Sequence, residues 1–175
     1  MSDYPTLSGE TLVVPIVGDP IAQVKSPHGI TAQFHRRGRN AACLPLQIGA
    51  ADLDALLTGL TKSGSVAGLI GTVPHKFGLA AHCATRTDRA AFLGSVNVAR
   101  RADDGTWFGD QVDGAAFVAA VESNGGVLPG AAALQIGAGG AGSAIALALL
   151  EAGVGRLALH DADTVRRGRP DRPAA

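Results

Sequence analysis

Hydrophobic residues along this chain fall into short continuous runs that alternate with helical stripes, and that alternation predicts an α/β fold. Residues 11–17 are β-branched and aliphatic and end at Gly18, the pattern of a buried strand. A loop over 18–27 carries Pro20 and Pro27; Pro27 opens a helix over 28–36, with Ser26 as its cap. Residues 40–45 read as a second strand. Residues 50–60 read as a helix with Leu53, Leu56, Leu57 and Leu60 on one side. A third strand over 66–70 runs into Gly71-Thr72-Val73-Pro74-His75-Lys76, where another helix begins near Pro74 and continues through an Ala-rich stretch. Residues 94–100 and the Trp107 region pair as short strands around the turn Asp103-Asp104-Gly105. Residues 113–123 form a helix closed by Asn124-Gly125-Gly126. A strand over 131–136, a glycine turn, a helix over 143–152 and a strand over 156–160 then make the beginning of a βαβ arrangement. Residues 166–175, rich in Arg, Pro and Gly and without periodicity, predict a disordered tail.

Composition narrows the function classes. The chain of 175 residues is 46% apolar with 24 glycines, which suits small-residue helices packed on buried strands better than disorder or a coiled coil. Lys plus Arg equals Asp plus Glu at 15 each, so no broad field favours nucleic acid or an anionic membrane, and neither is expected as a partner. Two cysteines, Cys43 and Cys83, do not make a disulfide framework and read as reduced thiols. The first residues lack a signal-peptide pattern, and no apolar run approaches the roughly 18 residues of a membrane span, so a cytoplasmic protein is expected. His75, His82 and Cys83 lie close in sequence without a recurring zinc spacing, and no metal is expected. Nothing in the residues specifies an oligomeric state.

The glycine turn carries the first chemistry. Gly137-Ala138-Gly139-Gly140-Ala141-Gly142 is a G-x-G-x-x-G pattern between a predicted strand and helix. In a dinucleotide site Gly137 would make the tight turn, Gly139 would let backbone approach the pyrophosphate, and Gly142 would let the helix pack closely, with phosphate charge at the helix N-terminus. Asp161 ends the next strand about twenty residues on, where a carboxylate accepts from an adenosine ribose and repels a 2′-phosphate. NAD is therefore the expected cofactor ahead of NADP, with Arg156, Arg166, Arg167 and Asp163 as competing charges. The other reading is a glycine turn that serves fold geometry alone.

Four segments ahead of that turn resemble one family. Gly18-Asp19-Pro20-Ile21 with Ser26-Pro27-His28 resembles the opening loop of the shikimate/quinate dehydrogenases. Thr72-Val73-Pro74-His75-Lys76 resembles their Asn-Val-Thr-x-Pro-x-Lys motif, and Gly94-Ser95-Val96-Asn97 their Gly-Ala-Val-Asn-Thr segment. Gly109-Asp110-Gln111-Val112-Asp113-Gly114 resembles Gly-x-Asn-Thr-Asp-Gly. The order of the four, before a dinucleotide turn, extends the resemblance over about residues 11–165.

The resemblance implies an N-terminal three-layer α/β substrate-binding domain with an interdomain helix (1–123). The incomplete start of a Rossmann NAD(P)-binding domain (124–165) and the tail (166–175) follow, the chain being truncated within the nucleotide domain. It implies NAD(P)-dependent interconversion of a cyclic hydroxy acid, shikimate or quinate, with its 3-dehydro ketone, a step of aromatic amino acid biosynthesis. Lys76 and Asp113 would be the catalytic pair, Lys76 exchanging the hydroxyl proton as hydride leaves and Asp113 orienting that hydroxyl and holding the lysine's charge. Ser26, Thr72, Asn97 and Gln111 would contact the substrate, and 137–142 with Asp161 the cofactor.

Departures from the family pattern bear on the substrate. Gln23-Val24 stands where the family has His-Ser, Ile70 where it has Asn, Val98 and Val112 where it has Thr, and Gln111 where it has Asn. Each lost hydrogen bond to a charged group costs roughly 1.5–3 kcal/mol, enough to change the choice among related acids. The alternative function is a non-catalytic remnant or a small-molecule-binding protein.

Overall fold

A computed structural model describes residues 7–163; the tail expected over 166–175 lies outside the described residues. The chain divides into two compact units, one running to Asp110 and the other starting at Gln111.

The first unit is built on β1 (Leu12–Gly18), β2 (Ala41–Gln47), β3 (Gly68–Gly71), β4 (Thr85–Arg86), β5 (Val98–Arg101) and β6 (Trp107–Asp110). They form one sheet in the order β2-β1-β3-β5-β6-β4. β1 runs parallel to both β2 and β3, while β5 is antiparallel to β3 and to β6. The continuous apolar run of β1 follows from this place: with a strand on each side, residues 14–18 are all buried. The helices of this unit are α1 (Ser26–Arg36), α2 (Leu53–Thr61), α3 (Lys76–His82) and α4 (Asp88–Leu93). Leu53 and Leu57 of α2 enter a core shared with Val17, Leu69, Leu79, Val96 and Trp107, and Leu56 and Leu60 pack against its rim. A fully buried leucine contributes about 1.5–3 kcal/mol, so the predicted leucine stripe anchors α2 to the sheet.

One expected helix is two in the structure. The Ala-rich stretch after Lys76 stops at His82, Cys83 is extended, and β4 pairs with β6 before α4 begins. Arg86 Nη1 donates to the Ala80 carbonyl at 3.0 Å and so satisfies the end of α3. Thr87 Oγ1 caps α4 by accepting from Ala90 N at 3.3 Å, and Gly94 closes it in the left-handed region. The Thr-Asp start and Gly stop are local signals that the reading of one continuous helix passed over. The strand between the helices depends on a partner twenty-odd residues away.

In the second unit α5 (Asp113–Ser123) packs against α6 (Gly140–Glu151), and β7 (Ala132–Ile136) pairs in parallel with β8 (Arg156–His160). Leu128, Leu149 and Val154 form its core, joined by Val118 and Val121 of α5. This packing places α5 with the βαβ unit, where the sequence reading had set it with the first domain and drawn the boundary after residue 123. Helical periodicity records that α5 has an apolar face, but not which core that face joins.

Both thiols are buried, and burial pushes Cys43 and Cys83 from 9.0 up to about 11, an effect the Arg86 charge partly offsets at Cys83. A raised acid pKa means that the fold favours the protonated thiol. That contribution is intact below pH 9 and is lost as pH climbs through about 11. The melting temperature is therefore expected to fall between these values, and less so in Cys43→Ala or Cys83→Ala. At neutral pH both thiols should resist a thiol reagent until the chain is unfolded. Rapid labelling of the native chain would contradict their placement.

Candidate functional site

In the first unit the parallel strands deliver their carboxyl ends to one end of the sheet, where open α/β folds place ligands. Val17 of β1 is in register with Gly71 of β3, and Gly71 N donates to the Asn97 carbonyl at 2.8 Å. Thr72, just after β3, and Asn97, just before β5, therefore come to the same end. Thr72 N donates to Val17 O at 2.9 Å, and its carbonyl accepts from His75 N at 2.7 Å, turning the chain into α3. Lys76 opens α3 and is only 9% exposed. Its carbonyl accepts from Val96 N at 2.9 Å, which stitches the lysine segment to the Gly94–Asn97 segment. The loop after β1 joins them through Asp19 N, which donates to Val73 O at 3.0 Å.

Ser26 is the first residue of α1 and is exposed. The cap position is Lys25, with no side-chain capping bond, so the expected Ser26 cap is not made; Pro27 in the first turn already fixes the helix start. His75 carried no role in the sequence reading beyond a discarded metal ligand. It is 2% exposed, and its Nε2 lies 2.7 Å from the Ile48 carbonyl. A carbonyl only accepts, so that nitrogen carries the proton and the ring ties the start of α3 to the chain after β2.

In the second unit Asp113 opens α5, and its N–H donates to Gln111 Oε1 at 3.2 Å. Gln111 is 1% exposed, and its Nε2 donates to the Gly140 carbonyl at 3.4 Å. The amide expected to contact substrate is thus engaged with backbone of its own unit, a reach that the longer glutamine stem allows where the family pattern has Asn.

The glycine turn is more helical than expected. α6 starts at Gly140, three residues early, because Ser143 N already bonds Gly139 O at 2.8 Å; glycine's poor helix propensity hides this start from a sequence reading. Gly137 has φ 101°, which only glycine adopts without strain. Side chains take up the carbonyls of the turn: Gln135 Nε2 bonds Gly137 O at 2.8 Å and Gly142 O at 2.7 Å, and Ser143 Oγ bonds Ala138 O at 2.8 Å. No acceptor among the described residues takes the N–H groups of Gly139, Gly140 or Ala141. They are the donors an anion would meet at a helix N-terminus.

Gly142 is required by a close approach, to the turn itself. A Cβ there would lie 2.2 Å from Gly137 O and 2.8 Å from its carbon, both backbone atoms that cannot swing away. Gly142→Ala is expected to destabilise the second unit by about 1–3 kcal/mol through overpacking. Urea unfolding followed by circular dichroism would measure it, and an unchanged midpoint would refute the stated contact.

Asp161 is 8% exposed; its Oδ2 accepts from Ala138 N at 2.6 Å and its Oδ1 from Asp163 N at 2.8 Å. The carboxylate offered above as a ribose ligand is spent in part on holding the turn to the end of β8.

Among the described residues no group of three metal-ligating side chains gathers, and no helix is long and apolar enough to cross a membrane.

Residues 16–99 match the family model described as the shikimate dehydrogenase substrate-binding domain. Over these residues the chain is similar to the shikimate dehydrogenase family. The shikimate dehydrogenase (NADP(+)) of Rubrobacter xylanophilus is 35% identical over 153 residues, which are 87% of this chain and 54% of that protein. The shikimate dehydrogenase structure from Aquifex aeolicus superposes with a TM-score of 0.84 at 25% identity, over 93% of this chain and 60% of that one. The shikimate 5-dehydrogenase of Thermus thermophilus in complex with shikimate gives 0.80 at 28% identity, over 89% and 58%. The chain spans about half the length of the curated relatives it matches. Ser26, Thr72, Lys76 and Asn97 lie inside the matched shikimate dehydrogenase domain; Gln111, Asp113 and the glycine turn follow it.

Beyond the motif residues, sequence reasoning missed His75, Gln135 and Ser143. Gln135 had left a signal. A glutamine inside the apolar run Ala-Ala-Leu-Gln-Ile must find a hydrogen-bond partner when its strand is covered.

Proposed function

We propose that this chain serves an NAD(P)-dependent oxidoreductase of the shikimate dehydrogenase type, which interconverts a cyclic hydroxy acid and its 3-dehydro ketone. The observation that carries the reading is the convergence of Thr72, Lys76 and Asn97 at one end of the sheet inside the matched substrate-binding domain. The Rubrobacter relative is named for this activity, and the Thermus structure holds shikimate.

In this reading Ser26, Thr72 and Asn97 hold the acid and its hydroxyls, and Lys76 takes or returns the hydroxyl proton. Asp113 orients the hydroxyl. Residues 137–142 at the α6 N-terminus would hold the nicotinamide dinucleotide, which when bound would supply the hydride acceptor. Gln111 belongs to the positioning of Asp113 more than to substrate contact, since its amide bonds the Asp113 N–H.

The coenzyme reading is NAD(P) without a preference for NAD. The expected preference rested on Asp161 facing a ribose, but that carboxylate bonds Ala138 and Asp163, and the curated relatives cited above are named for NADP(+). The substrate reading covers shikimate, quinate and close relatives. Ile70 and Val98, each replacing a polar residue of the family pattern, are register partners across β3 and β5. Two lost polar positions thus make one apolar pair, which favours a substrate with one polar contact fewer there. Residence in the cytoplasm fits this reading.

A second reading is a small-molecule-binding protein without turnover, which a substrate-binding domain over residues 16–99 would by itself allow. Mixing the chain with NADP+ or NAD+ and either shikimate or quinate, and following reduced nicotinamide, decides between them. Reduction supports the enzyme. Shikimate binding without reduction establishes the binding protein, and neither removes the family-based function altogether.

A further inference from the structure

Gln135 sits in β7, half-buried, in the middle of a strand that is otherwise Ala, Leu and Ile. Its side-chain nitrogen donates to Gly137 O and to Gly142 O, at 2.8 and 2.7 Å. Both partners are carbonyls and can only accept, so the amide has one possible orientation, with each of its two hydrogens on one carbonyl. These carbonyls stand at the two ends of the glycine turn: Gly137 leaves β7, and Gly142 lies in the first turn of α6. One side chain therefore spans the turn and fixes the separation of its ends. The opposite atom, Oε1, is shielded from solvent and has no partner among the described residues. A buried acceptor left in that state is costly, so an apolar residue here would be the less demanding choice for stability alone. The N–H groups of Gly139, Gly140 and Ala141, which find no acceptor among the described residues, lie between the two pinned carbonyls.

We propose that Gln135 is a positioning residue for dinucleotide binding: it holds the glycine turn in the shape that presents the 139–141 amides to the pyrophosphate before the nucleotide arrives. A ligand then meets donors already aligned, and the ordering cost of the turn is met in folding and not in binding. The proposal rests on the NAD(P) reading above and adds a residue that no motif assigns.

The test compares the full chain with Gln135→Leu, which keeps the bulk and removes both donors. Three readouts are taken: calorimetric affinity for NADP+ and NAD+, affinity for shikimate, and hydrogen exchange of the amides over 137–143. Gln135→Leu is expected to weaken nucleotide binding roughly tenfold or more, to speed exchange in the turn, and to leave shikimate affinity unchanged. Gln135→Glu keeps the stem without the donors and carries the same test should the leucine variant not fold. Unchanged nucleotide affinity overturns the proposal, and so does an equal loss of shikimate affinity, which marks a general structural role. If the unaltered chain binds neither nucleotide, the NAD(P) reading fails and takes the proposal with it. Faster exchange in the variant would then show that the pin itself exists and serves only the turn's geometry.

Discussion

Replacing Lys76 by Ala is expected to lower hydride transfer by about 10²–10⁴-fold, the range for loss of a positioned acid–base group, while nucleotide affinity stays within twofold or so. The separation follows from where the lysine sits. Lys76 opens α3 in the first unit, whereas the glycine turn lies in the second. The contact that stitches its segment to the Gly94–Asn97 segment is made by the Lys76 backbone carbonyl with Val96 N, and an alanine retains it. The substitution therefore removes the side-chain amine and keeps that backbone contact. Lys76→Met, closer in length, controls for the lost side-chain volume and is expected to behave like Lys76→Ala. Steady-state turnover and a nucleotide titration on the same preparations measure both arms. Turnover close to that of the unaltered chain would sink the assignment of Lys76. Parallel loss of nucleotide affinity would point to a folding defect instead.

Trp107→Ala is expected to cost the first unit about 3–5 kcal/mol, the usual range for emptying a buried tryptophan site. Domains are net stable by about 5–15 kcal/mol, so the variant stands near the edge of folding. Trp107 is 2% exposed and belongs to the core that α2, α3 and the sheet share. Its indole N–H donates to Thr61 Oγ1 at 2.7 Å, and that hydroxyl in turn donates to Leu57 O at 2.8 Å, so one ring both fills the core and ends α2. The Arg101 guanidinium lies 4.9 Å from the ring centroid and adds a cation–π contact. Trp107→Phe keeps much of the volume and loses the indole donor, and it should cost roughly 1 kcal/mol for the hydrogen bond beyond its packing loss. Urea midpoints of the two variants separate volume from hydrogen bonding. Equal destabilisation would show that the Thr61 bond carries most of the effect.

Sequence by itself determined the local elements wherever a short-range pattern and a stop signal coincided. The helix Asp113–Ser123 and the strand Arg156–His160 have the bounds that periodicity predicts, because an apolar run and its Gly or Asn terminators are neighbours in the chain. The resemblance to the shikimate dehydrogenases was legible as well, in the motifs ahead of the glycine turn, and residues 16–99 match that family's substrate-binding domain. The roles assigned to those motif residues remain proposals.

Tertiary structure alone decided three things. β4 exists because Thr85 and Arg86 find Phe108 and Gly109 across the sheet, and a two-residue strand has no periodicity of its own. The helix α5 joins the second unit because its Val118 and Val121 meet Leu128, Leu149 and Val154, a choice between cores that an apolar stripe cannot express. The polar groups of the glycine turn found their partners only in three dimensions. Asp161 turned to the Ala138 amide, Gln111 to the Gly140 carbonyl, and Gln135 to both ends of the turn. The physical reason is common to all three. A hydrogen bond or a packed pair is made by groups the fold brings within a few ångströms, whereas a sequence pattern records only what each residue requires and not which distant group supplies it.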